Sequence, residues 1–163
     1  MHTEAGGCEP KATPASVSSH RVGATQFLRD ASRHADLTHH HFDPAWWRSQ
    51  GAEVGVASGR GQVYFVRAGQ EVWALRHYRR GGWMARFVAD SYLWCGWERT
   101  RPWREWHVLK KLRALGLPVP EPVGARVIRH GAVYRGDLIT SRIEDTVTLA
   151  HTLQRRSLGL DDW

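Results

Sequence analysis

The 163-residue chain has only two cysteines, Cys8 and Cys95, so at most one disulfide could form and a disulfide-stapled scaffold is excluded. No run of ~18 apolar residues exists, which excludes a membrane-spanning helix. The most apolar stretch, residues 87–97, is interrupted by Asp90. Residues 1–30 lack the apolar segment of a secretory signal. Acidic residues are outnumbered, 16 against 23 Lys and Arg, leaving a formal charge of +7 with ten histidines neutral. There are no internal repeats and no RNP, KH or helix-turn-helix pattern, which disfavours a nucleic-acid partner. What the chain does have is nine tryptophans and a hydrophobic content of 42%, too high for disorder throughout and enough for one domain with a core. The basic excess favours a polyanionic partner without naming one: nucleic acid, phosphates or an anionic membrane face.

Residues 1–25, rich in Gly, Ala, Pro, Ser and Thr, predict a disordered leader. His39, His40 and His41, with His34 upstream, predict a polar loop, because adjacent side chains diverge too far to share a metal. Asp43 before Pro44 marks a helix start, and the short helix should end at Gly51. Three strand-like segments follow, 53–59, 62–66 and 71–76, forming an antiparallel meander closed by Gly81-Gly82. A strong helix is expected from Pro102 to Leu115, stopped by Gly116 and Pro118. After a stiff Pro-rich connector at 117–122, two more strands are expected at 123–129 and 132–143, then a short helix near 148–156. The fold class is therefore α+β: an antiparallel five-stranded sheet with a helix between strands three and four.

On the long helix, Glu105 shares a face with Val108, Leu109 and Leu112, while Arg104, His107, Lys110 and Lys111 lie opposite. A carboxylate on an apolar face needs a cationic partner or must reach the helix edge. Strand alternation puts Ala74 and Arg76 on one face, which makes Arg76 the candidate partner; an exposed arginine at a strand end is the competing reading. Gly59-Arg60-Gly61 links two strands and lets backbone N–H groups approach a phosphate, although Gly-x-Gly also occurs in ordinary hairpins. No helix follows it, so a dinucleotide-binding fingerprint is excluded, and a Walker loop is absent.

In order and element type, Gly61-x-Val63, Ala74-x-Arg76 and Glu105 resemble the protein-kinase N-lobe, in which a Gly-rich hairpin covers ATP and a helix Glu orients a strand cation. Two departures stand out: Val56 and Ser58 occupy positions usually held by glycine, and Arg76 stands where Lys is usual. The segments Gly59-Arg60-Gly61, Leu75 to Gly82, Tyr92-Leu93-Trp94, Glu98 to Arg101, Leu117 to Val123 and Tyr134 to Thr140 resemble the 3-deoxy-D-manno-octulosonic acid (Kdo) kinases of Gram-negative lipopolysaccharide assembly, over about residues 45–163.

The resemblance implies a kinase-like fold, with a leader at 1–25, an N-lobe at 26–143, and a hinge exit and the start of a truncated C-lobe at 144–163. It implies transfer of the ATP γ-phosphoryl group to a Kdo hydroxyl on a lipid A precursor, at the cytoplasmic face of the inner membrane, by a peripheral protein. Gly59, Arg60, Gly61, Val63, Ala74, Arg76 and Glu105 would bind ATP. Arg79, Arg80, Arg86 and Trp83 would meet the substrate or an anionic membrane surface, with Arg99, Arg101, Phe87, Trp94 and Trp97 nearby. No catalytic-loop Asp or DFG-like motif is present, so the catalytic base and the Mg²⁺ ligands are expected beyond residue 163, and the chain alone is expected to be inactive. Two other readings stand beside this one: a non-catalytic basic and aromatic module for anionic lipid or nucleic acid, and a pseudokinase fragment that binds nucleotide only.

Overall fold

A computed structural model describes residues 17–58, 62–78 and 91–143. Its strands are β1 (Val17–Val22), β2 (Thr25–Asp30), β3 (Glu53–Ser58), β4 (Gln62–Ala68), β5 (Glu71–His77), β6 (Tyr92–Leu93), β7 (Pro122–His130) and β8 (Val133–Ser141). Two α-helices accompany them, α1 (Pro44–Ser49) and α2 (Arg101–Ala114). The strands form one antiparallel sheet in the order β1-β2-β7-β8-β5-β4-β3, with the short β6 pairing β8 off this path.

The five expected strands are present as β3, β4, β5, β7 and β8, but the sheet has eight. β1 and β2 form a hairpin against the free edge of β7. Their alternation is hard to read because only Leu28 and Asp30 of the hairpin's described side chains are buried. The leader expected at 1–25 does not hold for residues 17–25, which form β1, the turn and the start of β2; residues 1–16 lie outside the described residues. β6 is two residues long, too short to carry a period. The helix expected at 148–156 also lies outside the described residues.

The two sheet faces are covered differently. Cross-strand partners in an antiparallel sheet share a face. On one face Leu28, Ala125, Val127, Tyr134 and Leu138 pack with Tyr78, Tyr92 and Trp106 of α2. On the other, Val66, Trp73, Leu75, Val123 and Ile139 pack under Leu37, Phe42 and Trp47, which the chain between β2 and β3 brings across the sheet. That segment is ordered by its own polar groups. The Asp43 carboxylate accepts the Ala45 N–H at 2.9 Å to start α1. His41 Nδ1 lies 3.0 Å from both the Thr38 amide and its hydroxyl.

Helix α2 buries Pro102 and Trp106 fully, with Trp103 and Leu109 partly covered. This corrects the expected helix face. Val108 is 52% exposed, so the seam runs through Trp106, the larger apolar surface, and Glu105 stands at its edge. Truncating a fully buried Trp to Ala costs about 3–5 kcal/mol, which makes Trp106 the main anchor of the helix. The Arg101 N–H at the helix start donates to the Tyr134 hydroxyl of β8 at 3.0 Å. At the other end Gly116, with φ of 76°, takes the left-handed conformation that stops the helix.

Candidate functional site

β5 alternates so that Ala74 and Arg76 face α2. Val63 of β4 is the cross-strand partner of Arg76, and Leu138 of β8 is its partner on the other side. From α2, Glu105 reaches down to this face, and Arg76 Nη2 donates to Glu105 Oε1. The strand cation and the helix carboxylate thus meet. Their side chains remain 42% and 37% exposed, so the pair itself contributes at most about 1 kcal/mol to stability. The exposure leaves the guanidinium approachable.

A third residue completes the junction, and sequence reasoning missed it. Tyr78, buried just beyond β5, donates its hydroxyl to Glu105 Oε2. Arg76 Nη2 in turn donates to the Tyr78 oxygen at 3.2 Å, and the guanidinium lies 5.1 Å from the Tyr78 ring centre. Both carboxylate oxygens therefore have a donor, and the single guanidinium nitrogen Nη2 serves two acceptors, Glu105 Oε1 and the Tyr78 oxygen. Burial, and then the hydrogen bond to Glu105, push the Tyr78 pKa well above that of a free phenol, so it stays a donor. Burial opposes the Arg76 charge, but the Tyr78 oxygen and Glu105 outweigh it and raise its pKa above the ordinary guanidinium value. The alternation Ala74, Arg76, Tyr78 was the available signal.

The helix that carries Glu105 is held from a second side. Lys110, expected on the solvent face, donates to the carboxylate of Asp30 at the end of β2. Asp30 is 1% exposed and also accepts from the Ser32 amide at 3.1 Å and its hydroxyl at 2.5 Å. On the opposite sheet face His77 Nδ1 lies 2.7 Å from Asp137 Oδ1, and Arg126 Nε donates to Asp137 Oδ2 at 2.8 Å. This cluster lines a cavity of about 210 Å³ with Phe42, Asp43 and Tyr64, and Arg76 also contributes to its wall.

Of the remaining candidates, Gly59, Arg60 and Gly61 lie outside the described residues, although Ser58 and Gln62 pair on either side of them. Arg79, Arg80, Trp83, Arg86 and Phe87 also lie outside them. Trp94 and Trp97 meet edge to face at 4.6 Å, and Cys95 between them is exposed. Among the described residues no group of three His, Cys, Asp or Glu side chains is arranged to hold a metal ion.

An antiparallel sheet with one helix docked on it, whose Glu meets an Arg on the third strand of a meander, is compatible with the N-lobe of a kinase-like fold. Residues 44–162 match the model of the lipopolysaccharide kinase (Kdo/WaaP) family. The chain belongs to that family. It is 44% identical over 117 residues to a 3-deoxy-D-manno-octulosonic acid kinase of Vibrio cholerae, covering 72% of this chain and 50% of that protein. It is 43% identical over 122 residues to the Photobacterium profundum protein of the same name, covering 75% and 52%. A third protein of that name, from Xylella fastidiosa, is 38% identical over 138 residues, covering 85% and 54%. The chain thus spans about half the length of the curated relatives it matches. No solved structure matches it.

Proposed function

We propose that the chain supplies the nucleotide-binding part of an ATP-dependent kinase that phosphorylates a Kdo hydroxyl on a lipid A precursor in lipopolysaccharide core biosynthesis. It would work at the cytoplasmic face of the inner membrane as a peripheral protein. The observation that supports this most is the junction of Arg76, Glu105 and Tyr78 within a chain of this family. In kinase chemistry a strand cation holds the nucleotide phosphates and a helix Glu orients that cation. Arg76 suits the first role, being charged, half-exposed and fixed from behind by two partners. Val63 and Ala74 flank it on the same face, small enough to leave room for a flat ring.

A kinase of this family implies ATP and a divalent metal in general. The reading takes that metal to be Mg²⁺. The described residues suit a triphosphate better than a cation, so no step through the metal is assigned to them. When bound, the metal would neutralise phosphate charge, while Arg76 would hold and orient the phosphates and Glu105 and Tyr78 would keep Arg76 in place.

Two experiments test this. Binding of an ATP analogue to the chain should be lost in Arg76→Ala; unchanged affinity would overturn the Arg76 assignment. Radiolabelled ATP, Mg²⁺ and a Kdo–lipid acceptor, incubated with the full-length gene product, should label the sugar. The 163-residue chain alone should leave it unlabelled, and turnover by that chain would show that the catalytic group lies within it.

A further inference from the structure

The connector between α2 and β7 carries Pro118, Pro120 and Pro122, positions with no N–H to give to a ladder. Glu121 stands between the last two, and β8 holds its backbone. The Ser141 N–H donates to the Glu121 carbonyl at 2.8 Å, and the Glu121 N–H donates to the Ser141 hydroxyl at 2.8 Å. Ser141 is the last residue of β8, and Thr140 before it is the cross-strand partner of Ala74.

The Glu121 side chain is only 12% exposed, too covered for a carboxylate to stand without partners. Arg33, from the segment between β2 and α1, donates to its Oε1. Arg113, in the last turn of α2, lies 3.6 Å from its Oε2 and donates from Nη1 to the Val119 carbonyl at 3.2 Å. One carboxylate therefore joins the segment after β2, the end of α2 and the end of β8. Asp30, just ahead of Arg33, grips Lys110, one turn ahead of Arg113. The stretch 30–33 thus holds α2 twice, once directly and once through Glu121. It lies ahead of the residues that match the family model, which begin at 44.

We propose that Glu121 is a positioning residue for the nucleotide site, relaying Arg33 to the last turn of α2 and to the end of β8. Both targets bear on Arg76. Helix α2 carries Glu105, and the end of β8 sets Thr140 against Ala74, on the face that Arg76 shares. Exposed ion pairs count for little one at a time, as where Arg33 lies 4.0 Å from Glu71 with both half-exposed. A covered carboxylate shared by two cations is different, because it couples the segments that carry them. The consequence for nucleotide rests on the kinase reading; the relay itself does not.

The test is binding of a non-hydrolysable ATP analogue to the 163-residue chain by calorimetry, with amide hydrogen exchange measured without nucleotide. Glu121→Gln keeps the shape and the backbone bonds and removes the charge. It should bind the analogue about fivefold or more weakly, with unchanged circular dichroism. Arg33→Gln should weaken binding in the parent and add nothing in the Glu121→Gln background, while Arg33→Lys should bind as the parent does. Arg48→Gln breaks a comparably exposed pair, 3.0 Å from Glu53, and should leave affinity unchanged. In exchange, the Leu117 and Ser141 amides, bonded to the Leu112 and Glu121 carbonyls, should lose protection in Glu121→Gln. The Tyr78 amide, bonded to the Gly136 carbonyl, should not. Unchanged affinity in Glu121→Gln, additive effects of the two substitutions, or unaltered exchange at Leu117 and Ser141 would each overturn the proposal. A parent chain that binds no analogue would count against the kinase reading and the nucleotide consequence with it; the exchange result then decides the relay.

Discussion

Gly136 of β8 lies directly beneath Pro102 of α2: a Cβ on the glycine would stand 2.4 Å from the proline Cγ. Pro102 is fully buried in the first turn of the helix, and Glu105 follows three residues later. The missing side chain on β8 therefore sets how closely α2 approaches the sheet, and with it where the carboxylate meets Arg76.

Gly136→Ala should push the rigid proline ring outward. The expected cost is about 1–3 kcal/mol, as for overpacking of a close-packed core, read as a lower urea midpoint. Nucleotide affinity should fall further than stability alone explains, because Glu105 is displaced with the helix. Gly124→Ala is the matched comparison: its Cβ would stand 2.3 Å from Leu37 Cδ2 on the opposite face. It should destabilise by a similar amount and leave nucleotide affinity nearly unchanged. If the two variants bind nucleotide alike, α2 is not positioned by Gly136.

Tyr78→Phe removes the hydroxyl that joins Arg76 to Glu105 while keeping the ring that packs in the core. It should cost about 1 kcal/mol of stability, the net worth of a hydrogen bond of this kind. The larger effect should be on nucleotide affinity, since Glu105 Oε2 is left without its donor and the carboxylate is free to turn from Arg76. Tyr78→Leu should unfold the chain more readily still, and the contrast separates packing from positioning. Affinity unchanged in Tyr78→Phe would reduce Tyr78 to a core residue.

The part of this architecture that could be read from the sequence is the part with strong periods. β3, β4, β5, β7 and β8 each alternate or end at a glycine turn, and Asp43-Pro44 announces α1. The Arg76–Glu105 contact was accessible because a lone acid near an apolar helix face needs a partner. Three things were hidden. The β1–β2 hairpin buries only Leu28 and Asp30 among its described side chains, so composition masked it. Lys110 looked like a solvent-facing lysine because its partner, Asp30, lies 80 positions away in sequence. Trp106 was passed over in favour of Val108 because the wheel ranks positions by spacing and ignores the area each side chain can bury.

His34 and His41 pack against Trp73, with ring centres 5.5 and 6.3 Å away, and His41 also lies against Trp46 and Trp47. Burial lowers both imidazole pKa values below the ordinary 6.5, outweighing the opposing pull of Glu71 and Glu121 on His34 and of Asp36 on His41. A histidine whose folded pKa is depressed contributes stability above its unfolded pKa and loses it as pH falls through the folded value. The urea midpoint should therefore decline with acidification below about pH 6.5. The decline should be smaller in His34→Gln and His41→Gln. A flat profile in the parent chain would show that neither ring must stay neutral for the cover over Trp73 to hold.

The Asp30–Lys110 pair predicts a second acid-sensitive step, well separated from the first. Although burial works against its charge, Lys110 and Ser32 hold the Asp30 carboxyl below its ordinary value of 3.8. A carboxylate with a depressed folded pKa contributes its full stability above the unfolded value and loses it as pH falls through the folded one. Asp30→Asn removes that contribution at every pH and leaves the Lys110 ammonium, only 21% exposed, to find water. The expected cost near neutral pH is about 2 kcal/mol, below the 3–5 kcal/mol of a fully buried pair because Lys110 can swing outward. The gap between parent and variant should stay constant down to about pH 5 and then close as the parent protonates. Because Asp30 belongs to the β1–β2 hairpin and Lys110 to α2, hydrogen exchange offers an independent reading. Amides of α2 should exchange faster in Asp30→Asn, while those of β4 and β5 should not. Uniform acceleration across the sheet would mean that the pair stabilises the whole domain without holding the Glu105 helix in particular.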